Sequence, residues 1–293
     1  MTTIEVVALI LKKQQMNILN KILGLFKRDK INKADIDFDS NTKGSAEQHL
    51  YSFEDLEKLV IPIIRNATKI EIQSASTPPE NSQLISHFGG QPYFEEGAEW
   101  YKSKAGKNLD FIFQIFNNDE IQLPKSIKLI QFFYDLDEFP WDTDEDGWFV
   151  KIYETLHTDK LIKIDNPTEF EEWKYCEVTF KSIKSLPDWE GIDLYEERAA
   201  KLSSVLNSKE DWDSYEKVVE KLIGEQDYQS QLGGYPRWVQ GESTPTLSNG
   251  ENMKLLFQID SDNNAGLMWG DVGLVYVFYD EETKRTEFTL QCH

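Results

Sequence analysis

The chain has 293 residues, of which 40% are hydrophobic and 13% aromatic, and its formal net charge is −21. The apolar content argues against a disordered chain, and the negative charge argues against non-specific nucleic-acid binding, which needs clustered lysine and arginine. The two cysteines, Cys176 and Cys292, belong to no CxxC or Cys/His cluster, so they exclude a disulfide scaffold and favour a reducing cytoplasm.

The N-terminal region differs in charge from the rest of the chain. Residues 1–33 carry seven lysines or arginines against two acids, a net charge of +5, which leaves −26 on the remaining 260 residues. Apolar residues within 16–28 recur at helical spacing with basic residues opposite, which predicts one amphipathic helix. We interpret residues 1–45 as a basic segment and linker that contacts a membrane surface or a partner, or simply docks on the domain of residues 46–293. No stretch approaches ~20 uninterrupted apolar residues, so the sequence predicts no membrane-spanning segment.

From Ser52 onwards the sequence shows helix and strand patterns in turn. Ser52 followed by Asp55 predicts a helix N-cap, and Pro62 should interrupt that helix. Lys69 to Ser74 alternates like a strand and ends before Pro78. Further strands are predicted at 109–116, 127–135, 148–155, 175–182, 254–260, 273–280 and 286–292, and helices at 193–206 and 211–223. Strands joined by short turns, with helices grouped elsewhere, predict an α+β fold that is mainly antiparallel.

Two segments of the chain share residue types and spacing. FGGQPYF, LDFIFQI and LIQFFYD between residues 88 and 135 correspond to LGGYPRW, LLFQI and LVYVFYD between 232 and 280, mostly at an offset of 144 residues. This pattern predicts an internal duplication, in which two copies related by an approximate twofold axis bury a shared core. The predicted core members are Phe111, Phe113, Ile115, Phe132, Leu256, Ile259, Tyr276 and Phe278.

The motifs LGGYPRWVQG, LLFQIDSD, MWGDVGLVYVFYD and FTLQC, together with SHFGGQPYF, resemble the YwqG-like family, the bacterial domain of unknown function 1963. The resemblance covers roughly residues 50 to 293, and it departs from the family where Tyr93-Phe94 replaces a proline-rich continuation. It implies a β-rich duplicated α+β domain, distantly similar to the programmed-cell-death-protein-2 type, with toxin immunity or another interaction role and no catalytic residues to carry over. The motif positions, which we interpret as structural, are Gly89, Gly90, Pro92, Gln114, Gly233, Gly234, Pro236, Gln258, Asp260, Trp269, Gly270 and Asp271.

Two of these motif types have a functional alternative. The Gly-Gly pairs suit a tight turn before proline, or a cradle for an anion, although the lysine of a P-loop is missing. Gln114 and Gln258 lie within apolar strands, where a buried amide must have partners. Each therefore ties neighbouring backbone together, or the two form a paired amide site at the twofold axis.

The sequence Asp142-x-Asp144-x-Asp146-Gly147 is the most metal-like string in the chain. Three carboxylates at alternating positions before a glycine are typical of an EF-type calcium loop, but the twelfth position is Tyr153 and a strand pattern follows. A solvated acidic loop is the alternative. Asp260-x-Asp262-x-Asn264 is a looser echo of it, and both loops are acidic enough to meet a cationic partner.

The sequence offers no catalytic set. The four histidines form no metal-spaced pair, there is no GxSxG motif, and neither cysteine has an adjacent histidine, so we predict no cofactor and no metal. The favoured hypothesis is a non-enzymatic, immunity-type protein that neutralises a basic toxin. A chaperone-like carrier of a basic client is the second hypothesis, and a small-molecule binder or enzyme that uses the cleft between the copies is the third. The predicted binding residues are Asp142, Asp144 and Asp146 together with exposed members of the group Trp141, Trp148, Trp189, Trp238 and Trp269.

Overall fold

The computed structural model of the chain describes residues 51–168 and 174–293. The predicted basic segment 1–45 lies outside these residues. The helices are α1 (Phe53–Val60), α2 (Ile192–Leu206) and α3 (Asp211–Ile223). The strands are β1 (Arg65–Ile72), β2 (His87–Phe88), β3 (Phe94–Glu95), β4 (Asp110–Phe116), β5 (Leu129–Tyr134), β6 (Trp148–Tyr153), β7 (Leu161–Ile162), β8 (Cys176–Ser185), β9 (Gln231–Gly233), β10 (Lys254–Asp260), β11 (Leu274–Tyr279) and β12 (Thr286–Gln291). Of the helices in this described part, none is both long enough and apolar enough to cross a membrane.

The start and the end of α1 follow directly from the sequence. Ser52 and Asp55 form a reciprocal capping box, in which each side chain accepts a hydrogen bond from the other residue's backbone amide. The α-helix ends at Val60 and continues as a single 3₁₀ turn, Ile61–Ile63, because Pro62 has no amide hydrogen to continue the helical ladder. The predicted N-cap and the predicted interruption are both confirmed.

Ten of the strands form one antiparallel sheet, in the order β12-β11-β10-β9-β1-β8-β2-β4-β5-β6. The long strands β1 and β8 pair at its centre over eight residues. On either side of this pair lies a very short strand, β9 or β2, followed by a three-stranded meander. The predicted mainly antiparallel α+β class is confirmed, although β2 and β9 were not predicted from the sequence.

The two edges of the sheet approach each other, so that the sheet is nearly closed. Thr143 donates its hydroxyl to the Phe288 carbonyl oxygen at 3.1 Å and accepts from the Phe288 amide at 2.7 Å. The Leu290 amide donates to the Trp141 carbonyl oxygen at 2.9 Å. The ring of Trp148 in β6 stacks on Phe288 in β12, with 5.3 Å between centroids. Residues 141–143 and Trp148 therefore close the space between the first edge strand and the last.

The core lies inside this nearly closed sheet. All eight predicted core residues are buried, with at most 2% of each exposed. Five of them belong to this core, whereas Phe111 belongs to a second cluster and Tyr276 and Phe278 to a third. Phe113 of β4 and Phe257 of β10 meet edge to face, with 5.0 Å between ring centroids, so the two meanders share one core. The helices pack in a separate cluster that includes Leu56 of α1, Ala199 of α2 and Val218 of α3.

The two meanders have the same irregularity in the same place. The β4–β5 register shifts once, between Phe111 and Phe113, and the β10–β11 register shifts once, between Leu255 and Phe257. A bulge of this kind bends a strand and increases its local twist. Both meanders therefore curve at equivalent points.

Candidate protein-binding surface

Gly89-Gly90 follows β2 directly, whereas Gly233-Gly234 begins at the last residue of β9, and all four glycines have positive φ. A Cβ atom on Gly89 would lie 2.5 Å from the Lys174 carbonyl oxygen, and one on Gly234 would lie 2.8 Å from the Ala67 and Ser185 side chains. The Gly89 amide is already occupied, because it donates to the Ile112 carbonyl oxygen at 2.9 Å. Conformation and space therefore both demand glycine at these turns.

Gln114 and Gln258 are both fully buried and make matching contacts. The Gln114 carbonyl accepts from the Tyr93 amide at 2.7 Å, and the Gln258 carbonyl accepts from the Arg237 amide at 3.0 Å. Their amide groups donate to backbone carbonyls upstream, at Ile85 for Gln114 and at Gln229 for Gln258. The two side chains share no partner and do not bond each other, so each ties its own Gly-Gly turn to its own meander.

His87 and Gln231 occupy matching positions, two residues before the first glycine of each pair. Gln231 donates to the carbonyl oxygens of Gly233 and Tyr235, each at 3.0 Å. His87 is fully buried, and neither of its ring nitrogens has a hydrogen-bond partner among the residues that the structure describes. Burial lowers the pKa of His87 to about 4, although nearby backbone carbonyls, first that of Gly89, oppose the shift.

The predicted acidic loop lies where the sheet closes. Asp142 and Asp144 are exposed, and the Asp142 carboxylate accepts from the Asp144 amide at 3.0 Å. Asp146 is half-buried and accepts from the backbone amides of Lys104 and Ala105 at 2.8 and 3.0 Å, and these bonds lower the pKa of its carboxyl. The Asp146 carboxylate is thus occupied by hydrogen bonds from the loop that contains Lys104 and Ala105. Over residues 51–168 and 174–293 no group of three or more His, Cys, Asp or Glu side chains is arranged to hold a metal ion.

A second loop, residues 261–273, packs against the first. Asp262 and Leu267 exchange two backbone hydrogen bonds of 2.9 Å, and the Asp262 carboxylate accepts from the Ala265 amide. A Cβ atom on Gly270 would lie 3.4 Å from the Trp141 ring, so glycine permits close contact between the loops. Phe139 contacts both Trp141 and Trp269, with ring centroids 6.0 and 6.4 Å apart. We call the joint surface of residues 135–147 and 261–273 the acidic corner.

The acidic corner contains two non-glycine residues with positive φ, Phe139 at +56° and Val272 at +49°. A bulky or β-branched side chain is rare in this conformation, which costs of the order of 1–3 kcal/mol. Phe139 offsets the cost by packing beneath the loop, whereas Val272 is 53% exposed. Met268, four residues earlier in the same loop, is 50% exposed. Backbone strain thus coincides with an apolar side chain that faces solvent.

The structure corrects part of the predicted tryptophan set. Trp238 is 4% exposed and stacks on Phe278, and Trp269 is fully buried against Tyr134, so neither is available as a surface anchor. Trp148 is half-buried because it packs on β12. Trp141 is also half-buried, and its backbone amide donates to the Glu145 carboxylate at 2.7 Å, so part of its side chain is exposed beside the acidic residues.

The model of the family described as "Domain of unknown function (DUF1963)" matches residues 86–289. The chain belongs to the DUF1963 family. The match spans both Gly-Gly turns, both meanders and the acidic corner, so these are features of the DUF1963 region of the chain, and a YwqG-like assignment is consistent with it. A comparison with curated proteins finds no match.

Two apolar residues of the acidic corner, Met268 and Val272, were missed from the sequence. Both sit in MWGDVG, where they look like further members of an apolar strand pattern. Only the turn around Gly270, which has a φ of +63°, places their side chains outward. The Gly-Asp pair between them is the one local signal of that turn in the sequence.

Proposed function

We propose that this DUF1963 protein is a non-enzymatic binding protein of the bacterial cytoplasm, and that it neutralises a basic toxin through its acidic corner. The observation that carries the proposal is the meeting of two acidic loops, far apart in sequence, around exposed apolar side chains. Strain at Val272 adds weight, because strained residues cluster at functional sites. Two unpaired cysteines are consistent with a reducing compartment.

Charge would act on the rate of association. Asp142, Asp144 and Asp271 are exposed, and none forms an ion pair with a described lysine or arginine. With −26 on residues 34–293, the resulting potential should steer a basic partner towards the corner, and salt should slow the encounter. Nucleic acid is repelled by the same charge.

The affinity of the complex would come from a few apolar side chains instead. Exposed charges at the rim of an interface mainly change association rates, whereas buried apolar side chains hold a complex together. Met268, Val272 and the exposed part of Trp141 are the side chains that a partner would bury here. A chaperone-like carrier of a basic client would use the same surface, and the discovery of a toxin gene beside the gene for this chain would favour immunity over that alternative.

We also propose that the two meanders are copies of one duplicated unit. The symmetric strand order, the matching bulges and the matching glutamine contacts support this proposal. A further pair of contacts agrees: the Phe116 amide donates to Ser86, and the Asp260 amide donates to Ser230, at 2.9 and 3.0 Å.

The test is to search the neighbouring genes for a basic toxin and to co-express that toxin with the chain, and the absence of such a gene would count against immunity. The chain should restore growth, and the double variant Asp142→Lys, Asp144→Lys should weaken the rescue. Glu80→Lys, Glu99→Lys is the matched control, because it changes the net charge equally at exposed sites outside both loops. Met268→Ala should weaken rescue without altering the salt dependence of association. Equal loss in both charge variants would refute a role for the acidic corner.

A further inference from the structure

A gap one strand wide interrupts the sheet between β1 and β10. Strand β9 lies between these two strands only as far as Gly233, which pairs with Ala67. The chain then leaves the sheet, because Gly234 lies over Ala67 and Ser185, and the Tyr235 amide donates to the Ser185 hydroxyl at 3.0 Å. Beyond this point β1 and β10 both continue, but no residue of 51–168 or 174–293 pairs between them.

Both walls of the gap are strand edges. Arg65 and Asn66 pair with β8 on one side only, and Lys254 and Leu255 pair with β11 on one side only. Since β9 fits between β1 and β10, it holds them about two strand spacings apart, roughly 9–10 Å. That is the width that one further extended chain requires.

The gap opens into a cavity of about 760 Å³, within the range of ~300–1,000 Å³ that is usual for ligand sites. Its apolar floor consists of Leu123, Leu256 and Tyr279, which are all buried. A neighbouring cavity of about 1230 Å³ shares Asn66 and Gln122 with it, so the groove continues along the β4–β5 loop. An extended chain could therefore enter the gap and leave it again.

The rim of the gap selects a basic occupant. Glu251, Glu281 and Glu282 are exposed at the rim, and none of them forms an ion pair with a described cation. The nearby Arg65 guanidinium lies over the Tyr235 ring, 4.0 Å from its centroid, and Lys254 is the other cation that lines this cavity. Lys125 and Lys128 line the neighbouring cavity. Successive side chains of a strand point to opposite faces, so a bound strand presents alternate residues to the floor and to the rim.

We infer that the gap binds an extended peptide segment of a partner protein as an added β-strand, with apolar side chains on the floor and lysine or arginine against the glutamates. Added strands of this kind gain affinity from main-chain hydrogen bonds and specificity from alternate side chains. This site goes beyond the proposed function, since it shares no residue with the acidic corner, and it does not involve the buried amides of Gln114 and Gln258.

The test uses the full chain and a capped heptapeptide of alternating lysine and valine. The peptide should slow hydrogen exchange at backbone amides within 65–66 and 254–256. The same peptide methylated on alternate backbone nitrogens should bind at least about tenfold more weakly, because it cannot complete the ladder. A glutamate–valine peptide should fail to bind.

Variants separate this site from the acidic corner. The double variant Glu281→Lys, Glu282→Lys should bind the lysine–valine peptide at least about tenfold more weakly. The double variant Asp142→Lys, Asp144→Lys, which has the same change in net charge, should bind that peptide with an affinity within about twofold of the wild type. Equal binding of the methylated peptide, or protection elsewhere than at the two edges, would overturn the inference. Loss of toxin rescue with intact peptide binding would instead count against the proposed function alone.

Discussion

The two Gly-Gly turns have the same local structure but different surroundings. Each ends a very short strand that lies between two long ones, and each is held by a buried glutamine. After Gly89 the space beside the turn is occupied, because β8 begins only at Cys176 and residues Lys174 and Tyr175 pack on the glycines. After Gly233 the long strands continue and the space stays open. The same motif thus completes the packing in one half of the sheet and leaves a groove in the other.

The halves also differ in the residue that precedes the turn. Gln231 satisfies its amide with two backbone carbonyls, whereas His87 meets aromatic rings, with the Tyr175 centroid at 5.1 Å and the Phe111 centroid at 5.7 Å. Moving a neutral imidazole from water into such apolar surroundings costs less free energy than moving a charged one. At this position the occupied half therefore has a group that titrates, whereas the open half has an amide that does not.

The largest expected effect concerns the core that the halves share. Phe113→Ala and Phe257→Ala should each lower the free energy of unfolding by about 3–5 kcal/mol, measured by urea denaturation, because each side chain is fully buried. The double variant should lose less than the sum, since the two rings are in contact. Phe53→Ala, at a position 44% exposed, is the control and should lose little. Strict additivity would show that the two halves have separate cores.

The second-largest expected effect concerns the two Gly-Gly turns. Gly89→Ala and Gly234→Ala should each lower the free energy of unfolding by about 3 kcal/mol, because a Cβ atom would clash and the φ is positive. Gly97→Ala is the matched control, because the φ of Gly97 is +86° but no described atom lies within 4 Å of the new Cβ. Its free energy of unfolding should fall by only about 1 kcal/mol. If Gly234→Ala behaved like Gly97→Ala, the second turn would be looser than the first.

The smallest effect depends on pH. Below the ordinary His pKa of 6.5 the unfolded chain binds a proton at His87, but the folded chain does so only near pH 4, so this group makes stability fall as the pH drops through that window. When the pH falls from about 7 to about 5, the free energy of unfolding should therefore decrease by about 2 kcal/mol less in His87→Gln than in the wild type. Thermal or urea unfolding of both chains across this range gives the comparison. Parallel pH profiles would contradict a neutral buried imidazole at this position.

The sequence was a good guide to the long elements and a poor guide to how they connect. The strands β4, β5, β10 and β11 and the cap at Ser52 could be predicted because apolar runs and capping residues act locally. The short strands β2 and β9 could not, since two or three residues carry no period and form strands only because long neighbours already flank them.

The candidate surface was predicted in part, for a similar reason. Asp142 and Asp144 are exposed as their polarity suggests, but a tryptophan gives no local sign of which side it faces. Trp269 is buried and its neighbour Met268 is exposed because the positive φ of Gly270 turns the loop. The open groove beside Gly233 depends on how far β1 and β10 extend past the end of β9, which no pattern near the glycines records.

The central position of β1 has a consequence for synthesis of the protein. Arg65 pairs with Ser185, and Lys69 pairs with both Lys181 and Gln231, so β1 needs partners that are synthesised much later. Loop closure over such distances is slow, and an unpaired strand edge is prone to aggregation until its partner strands have formed. The β4–β5–β6 meander can form from neighbouring residues before then. The nascent chain must therefore hold β1 unpaired until most of the domain has been translated.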